Sequence, residues 1–185
     1  MSFLIKKTWF EKGAPFLLSV FVILADQLSK IYIVKNWPVT ETSGGRFIKD
    51  VFENGLLQIV HVRNTVVAFS LGTGLPDAVK PVLFIVFPVL VLLFLIGYYF
   101  KGSDWTTPQR WAAAGVIGGG IGNIIDRICA HGGVKGVVDF ISVKFFGGIF
   151  FDRWPTFNIA DASVVVCVLF WFAVSLVSPK DARRR

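Results

Sequence analysis

The chain has 185 residues, 54% of them hydrophobic and 15% aromatic, with a mean hydropathy of +0.66. These values exclude an ordinary soluble domain and indicate a polytopic membrane protein built as one unit. The net charge of +7 does not point to nucleic acid as a partner, because the cations gather at the termini beside apolar spans rather than on a separate basic patch.

Four segments approach the roughly 20 apolar residues that a membrane helix needs. The first covers about 14–34 and follows Lys6, Lys7 and Lys12. That start is similar to a secretory leader, but no small-x-small cleavage site follows. The apolar core instead continues through Asp26-Gln27-Leu28-Ser29-Lys30, so the segment reads as a retained span. Asp26 and Lys30 are four apart and can pair along one helix face. A bundle-facing ion pair that fixes the helix is the simpler reading; the alternative is a role in holding substrate or setting a site's field.

The outward segment 35–80 contains Leu56 to Arg63, which alternates imperfectly and reads as a strand. The second span, 81–100, carries no charge, and Pro88 is expected to kink it. The third, about 111–128, is short and rich in glycine. Its Gly115/Gly119 and Gly118/Gly122 pairs have the small-xxx-small spacing that admits a neighbouring helix closely. Packing accounts for the glycines but not for Asn123, Asp126 and Arg127 at the end of the same helix. Asn123 and Arg127 share a face. Asp126 is read first as a structural charge, in an interfacial pair with Arg127, and only second as catalytic.

The outward segment 129–158 holds a second candidate strand, Val137 to Phe146, which Gly147-Gly148 and Ile149 to Phe151 would complete as a hairpin. Trp37-Pro38 and Trp154-Pro155 suit the headgroup level. The fourth span covers 159–177, and Cys167 within it is most simply a small hydrophobe. Lys6, Lys7, Lys12, Lys101, Arg110, Lys180 and Arg183-Arg184-Arg185 all fall on one side of these spans. Both termini are therefore expected in the cytoplasm, with both long segments outside. The expected fold is mainly α: a single unit over 1–185, with four transmembrane helices, a small outward-facing β platform and no internal repeat.

Two aspartates carry the chemistry. Asp139 lies in Val137-Val138-Asp139-Phe140, and Asp161 stands at the head of the fourth span. Ionisable groups at membrane depth are costly and mark a functional site by default. Two carboxylates brought together do not both ionise readily, and a shared proton makes one a base and the other an acid. Other schemes fit less well. Ser29 and Lys30 are adjacent and point apart on a helix. His61 and His131 lack the spacing and third ligand of a zinc site, and Cys129 and Cys167 have no CxxC pattern. The phosphate-cradling GxxxxGK[ST] pattern is absent. No metal or cofactor is expected. On the residues alone, a small proton-coupled transporter or channel subunit is the alternative, although such proteins usually show inverted repeats. A structural scaffold would not need charges in so many spans.

Five blocks in order resemble the lipoprotein signal peptidases, the signal peptidase II family of bacterial inner membranes. They are Asp26 to Lys30, Asn64-Thr65-Val66-Val67-Ala68-Phe69-Ser70, Gly119 to Arg127, Val137 to Phe140, and Phe157 to Asp161. The resemblance covers nearly the whole chain. It implies an aspartic endopeptidase that removes the signal peptide from diacylglyceryl-modified prolipoproteins, cutting just before the lipidated cysteine. It implies Asp139 and Asp161 as the catalytic pair, with Asp26, Lys30, Asn64, Asn123, Asp126, Arg127, Asn158 and Ala160 lining or supporting the site. The implied partners are lipidated prolipoproteins and membrane lipids, with a monomer as the working unit. One departure is visible: Val66-Val67 replaces the Gly-Ala usual in the family's Asn-x-Gly-Ala-[Ala]-Phe block, and β-branched valine resists the backbone freedom of glycine.

Overall fold

Three helical stretches, Phe10–Asn36, Val82–Lys101 and Ile159–Val177, are long and apolar enough to cross a membrane. They belong to a computed structural model that describes residues 10–39, 47–51, 55–65, 74–76, 78–102, 105–129, 135–144 and 153–177. In chain order the elements are α1 (Phe16–Asn36), β1 (Phe47–Asp50), β2 (Leu57–Asn64), a π-helical turn (Val82–Val86), α2 (Phe87–Lys101), α3 (Thr107–Cys129), β3 (Val137–Val143) and α4 (Ile159–Val177). The mainly helical architecture with a small sheet is as expected.

Helix α3 packs against α1, α2 and α4, and this central place explains its composition. Its neighbours turn large apolar side chains outward, among them Leu17, Phe21, Phe94, Leu169 and Phe172. By contrast, α3 buries Ala112, Ala113, Ala114, Gly115, Gly118, Gly119 and Gly122. A side chain on Gly118 would stand 2.8 Å from the Ser19 backbone of α1, and one on Gly119 would stand 2.5 Å from the Ala160 carbonyl of α4. The two glycines thus admit different helices on different sides of α3, the close approach that small-xxx-small spacing permits. Ser19 adds a bond to the same helix, its Oγ donating to the Ala114 carbonyl at 2.6 Å. A helix surrounded by helices needs small residues more than it needs lipophilic ones.

At Pro88 the span shows a widened turn. With no N–H to donate, and a ring that crowds the carbonyl four residues back, the proline disfavours a regular α-turn around Phe84. The preceding turn widens to the π form, with the Phe87 N–H bonded to the Val82 carbonyl. Phe84, on this turn, is buried and lies under the Arg127 guanidinium, 5.4 Å from ring centroid to Cζ.

The sheet has three antiparallel strands in the order β1-β2-β3. The sequence reading omits β1, since four residues are too short to establish an alternating period. The expected strand 56–63 is observed as Leu57–Asn64. The second stops at Val143, with Lys144 bridging to Arg153; the expected Gly147-Gly148 turn lies outside the described residues. Ile33 of α1 packs with Val138 and Phe140 of β3 in one buried cluster, seating the platform on the helix end. His61 is buried in β2, and its Nδ1 donates to the Trp37 carbonyl at 2.6 Å. That bond makes it a tie between sheet and helix. Burial pushes its imidazole below its ordinary pKa.

Candidate active site

The site is assembled where the sheet meets the first turn of α4. Phe157 exchanges backbone bonds with Ile141, N–H to carbonyl at 2.8 and 3.0 Å, so the chain enters α4 alongside β3. Asn158-Ile159-Ala160-Asp161 then forms a capping box. The Asn158 Oδ1 accepts from the Asp161 N–H at 2.9 Å, and the Asp161 Oδ2 accepts from the Asn158 N–H at 3.2 Å. The orphan N–H of Ala160 is satisfied from another helix, donating to Asp26 Oδ1 at 3.0 Å. These residues orient Asp161 as part of starting the helix.

Asp139 is placed by strand register. Val62 lies opposite Asp139, which puts Asn64, two residues on, at a diagonal position on the same face. The Asn64 Nδ2 donates to Asp139 Oδ2 at 3.1 Å. From the other side the Asn158 Nδ2 donates to Asp139 Oδ1 at 2.8 Å. Asn158 therefore contacts both aspartates at once. Asn123 completes the frame, its Nδ2 donating to Asp161 Oδ1 at 2.7 Å and its Oδ1 accepting from Asn158 at 3.1 Å.

Behind this frame is a buried ionic core. Lys30 Nζ sits 2.7 Å from Asp26 Oδ2 and 2.9 Å from Asp126 Oδ2, and donates to Asn123 Oδ1 at 3.1 Å. All three charged side chains of this triad are fully buried. The Asp26–Lys30 pair is the one the i,i+4 spacing suggests. Beyond its expected neighbour Arg127, Asp126 pairs with Lys30 and accepts from the Val138 N–H at 3.0 Å. Consecutive helical residues point about 100° apart, so Asp126 faces α1 while Arg127 lies over Phe84 on a different side.

Asn64, Asn123, Arg127, Asp139 and Asp161 line a cleft of about 460 Å³, closed on its apolar side by residues such as Leu83, Pro88 and Val164. Asp26, Lys30, Asp126, Asn158 and Ala160 are buried behind it. Burial first, and then the negative charge of Asp161, push the Asp139 carboxyl up from 3.8 to about 7; the bonds from Asn64 and Asn158 and the charge of Lys30 oppose this. A carboxyl at that value can both hold and release a proton near neutrality.

Sequence reasoning missed Gln27. Its Nε2 lies within 3.1 Å of Asp26 Oδ2, 3.0 Å of Asp126 Oδ1 and 3.1 Å of the Gly122 carbonyl, bridging α1 and α3. Its only signal is an amide inside an apolar span, next to a buried acid. Gly122 also has a role beyond helix packing: a Cβ there would stand 2.7 Å from Asp26 Oδ2. Ser29 bonds its own helix backbone at Asp26, consistent with excluding a Ser–Lys dyad. Val66, Val67 and His131 lie outside the described residues.

The sequence model of the Signal peptidase (SPase) II family matches residues 18–177. A lipoprotein signal peptidase of Treponema denticola is 44% identical over 153 residues, covering 83% of each chain. One from Treponema pallidum is 40% identical over 159 residues, covering 86% of this chain and 81% of its own. Among solved structures, a bacterial membrane enzyme superposes with a TM-score of 0.70 at 26% identity, over 94% of this chain and 93% of that one. The cleft and its buried frame therefore stand in a fold shared with membrane enzymes, and the chain belongs to the signal peptidase II family.

Proposed function

We propose that this protein is an aspartic endopeptidase that removes signal peptides from diacylglyceryl-modified prolipoproteins, cutting just before the lipidated cysteine. The carrying observation is that Asn158 bonds Asp139 and Asp161 together at one cleft. Family membership supports the substrate class. In this reading the pair shares one proton and titrates as a unit, with burial and the neighbouring charge holding the Asp139 carboxyl up to about 7. Asp161 takes a proton from the attacking water while Asp139 donates to the scissile carbonyl. No covalent intermediate is needed. The apolar wall at Leu83, Pro88 and Val164 suits acyl chains that stay in the outer leaflet while the peptide bond enters the cleft. Every group used comes from one chain, so a monomer suffices.

The proton assignment has a measurable consequence. Cleavage of a purified diacylglyceryl-modified precursor should show kcat/KM falling above about pH 7, by about tenfold per pH unit, as Asp139 loses its proton. A profile flat to pH 9 would remove Asp139 from the acid role.

We also propose that α3 is a fourth crossing, that the protein lies in the inner membrane, that both termini are cytoplasmic, and that the cleft faces the outer leaflet. The distribution of basic residues supports this, as does the central packing of α3 between the three apolar stretches. In a variant with Cys129→Ser and Cys167→Ala, single cysteines introduced by Asn54→Cys or Gly133→Cys should react with an impermeant maleimide in intact cells lacking an outer membrane barrier. Reaction only after the inner membrane is opened would reverse the orientation.

A further inference from the structure

The pairing of β2 with β3 contains an extra residue. From Leu57 with Val143 to Ile59 with Ile141 the strands hold one register; from Val62 with Asp139 to Asn64 with Val137 they hold another, shifted by one. Val60 and His61 therefore both stand opposite Phe140, which makes a β-bulge. Strand β1 pairs straight through Gln58, Ile59, Val60 and His61, so the slip lies wholly against β3. Burial marks the same place: Val60 and His61 are adjacent and both buried, where a regular strand would alternate. The slip decides what Asp139 meets. Were the first register continued, Asn64 would fall opposite Gly136, on the face of Val138 that packs on Ile33 of α1, and Arg63 would take its place beside Asp139. With the bulge, Asn64 lies on the Asp139 face and its Nδ2 donates to Asp139 Oδ2 at 3.1 Å.

Resting on the function proposed above, we infer that His61 is a positioning residue for the peptidase reaction: it pins this bulge to α1 and thereby holds Asn64 on Asp139. Its Nδ1 donates to the carbonyl of Trp37, the residue on which α1 ends, at 2.6 Å. Trp37 also packs against the cluster of Ile33, Val138 and Phe140. The anchor and the residue facing the bulge thus belong to one buried unit. A carbonyl only accepts, so the Nδ1 carries the proton and Nε2 of the neutral ring is left an acceptor. That Nε2 is buried with no hydrogen-bond partner among the described residues, so the Trp37 bond is what orients the ring. Exclusion of water strengthens the bond. A leucine would fill similar space without burying an unpaired nitrogen, so packing alone does not account for a histidine here. Asn64 follows three residues later on the same strand, and a shift of the bulge reaches it directly.

The test uses the full-length enzyme in detergent micelles and a diacylglyceryl-modified precursor peptide. His61→Leu should lower kcat about ten- to hundredfold, with KM within about twofold of wild type, because the walls that hold substrate are untouched. His61→Gln, whose amide falls near the Nε2 position, is the milder second variant and should show the same pattern. His61→Asn places an amide N–H near the Nδ1 position and should restore kcat to within about threefold of wild type. Two readouts separate positioning from mere stability. In an Asn64→Ala background, His61→Leu should cost less than about twofold more, since the group it acts through is already gone. The alkaline limb of the kcat/KM profile should also move to higher pH in His61→Leu, because the Asn64 bond favours the ionised Asp139 carboxyl. The charged groups bearing on Asp139, which are Asp161, Lys30 and Arg127, are carried by α4, α1 and α3 and not by β2. The position of the limb does not depend on how much of a preparation is folded. Wild-type kcat in both His61→Leu and His61→Gln would overturn the inference. So would a loss that multiplies fully with that of Asn64→Ala and leaves the limb in place, which would make His61 a structural residue alone. If wild-type enzyme does not cleave the peptide, the underlying function fails instead.

Discussion

Asp139→Asn should reduce cleavage of a lipidated precursor by at least about 10²–10⁴, the usual size of a lost general acid–base contribution, while leaving the protein folded. Asparagine nearly matches the shape of aspartate but carries no transferable proton. Stability should move the other way. The Asp139 carboxyl is raised from 3.8 to about 7 on folding, so it favours the fold at acid pH. That contribution fades as pH climbs from about 4 through 7, and above this range the ionised carboxyl opposes folding by about 4 kcal/mol. At pH 8 the Asp139→Asn variant should therefore unfold at the same temperature as wild type or higher. The Asn64 amide now donates to Asp139 Oδ2, so the substitution asks it to present its oxygen there instead. Asp161→Asn should lose activity as fully, but it is the less clean substitution. Asn123 donates to Asp161 Oδ1, and its own oxygen is held by Lys30 and Asn158, so it is not free to turn. Normal turnover in a well-folded Asp139→Asn variant would end the aspartic mechanism; lost turnover with lost folding would make Asp139 a structural residue.

What could be read from the sequence followed distance along the chain. The Asp26–Lys30 pair lies within one helix at i,i+4, and that spacing alone brings its atoms to 2.7 Å. The glycines of α3 declare close packing by their spacing, though not which helix each one meets. Asp126 shows the limit. Its local context offers Arg127, yet its carboxylate is used by Lys30, 96 positions away in sequence. Only the docking of α3 on α1 brings that lysine into reach. Gln27 was missed for the same reason, because two of its three acceptors belong to α3. The capping box at Asn158 and Asp161 was visible in principle, since an Asx residue followed three positions later by an acid before an apolar run is a helix-start signal. Reading Asp161 only as a buried charge hid its second role as a cap. The π turn before Pro88 follows from proline chemistry, although proline alone does not say whether the helix bends or its turn widens.

The ionic core behind the cleft sets up the other large effect. Lys30→Met would leave the Asp26 and Asp126 carboxylates buried together with no cation between them, where Lys30 now sits 2.7 and 2.9 Å away. Removing one member of a buried charge cluster typically costs about 3–5 kcal/mol, because the charges left behind have lost both water and partner. The variant should show a large drop in thermal unfolding temperature in detergent. Asp126→Asn alone should be milder: Lys30 keeps Asp26, and an amide oxygen at the Oδ2 position still accepts from the Val138 N–H, at the loss of the Gln27 bond to Oδ1. Combining Lys30→Met with Asp126→Asn removes one of the stranded charges and should recover much of the lost stability. Activity should not recover in parallel. Lys30 also fixes the oxygen of Asn123 at 3.1 Å, and the other end of that amide holds Asp161 Oδ1 at 2.7 Å. Without the ammonium, the amide oxygen keeps only its bond from Asn158 and the amide holds Asp161 less firmly, a misplacement of the kind that costs about 10²-fold in rate. The double variant should therefore be stable and slow, with the loss in kcat rather than KM. If Lys30→Met unfolds at the wild-type temperature, the buried triad does not hold these helices. If the double variant regains full kcat, Lys30 plays no part in positioning Asp161.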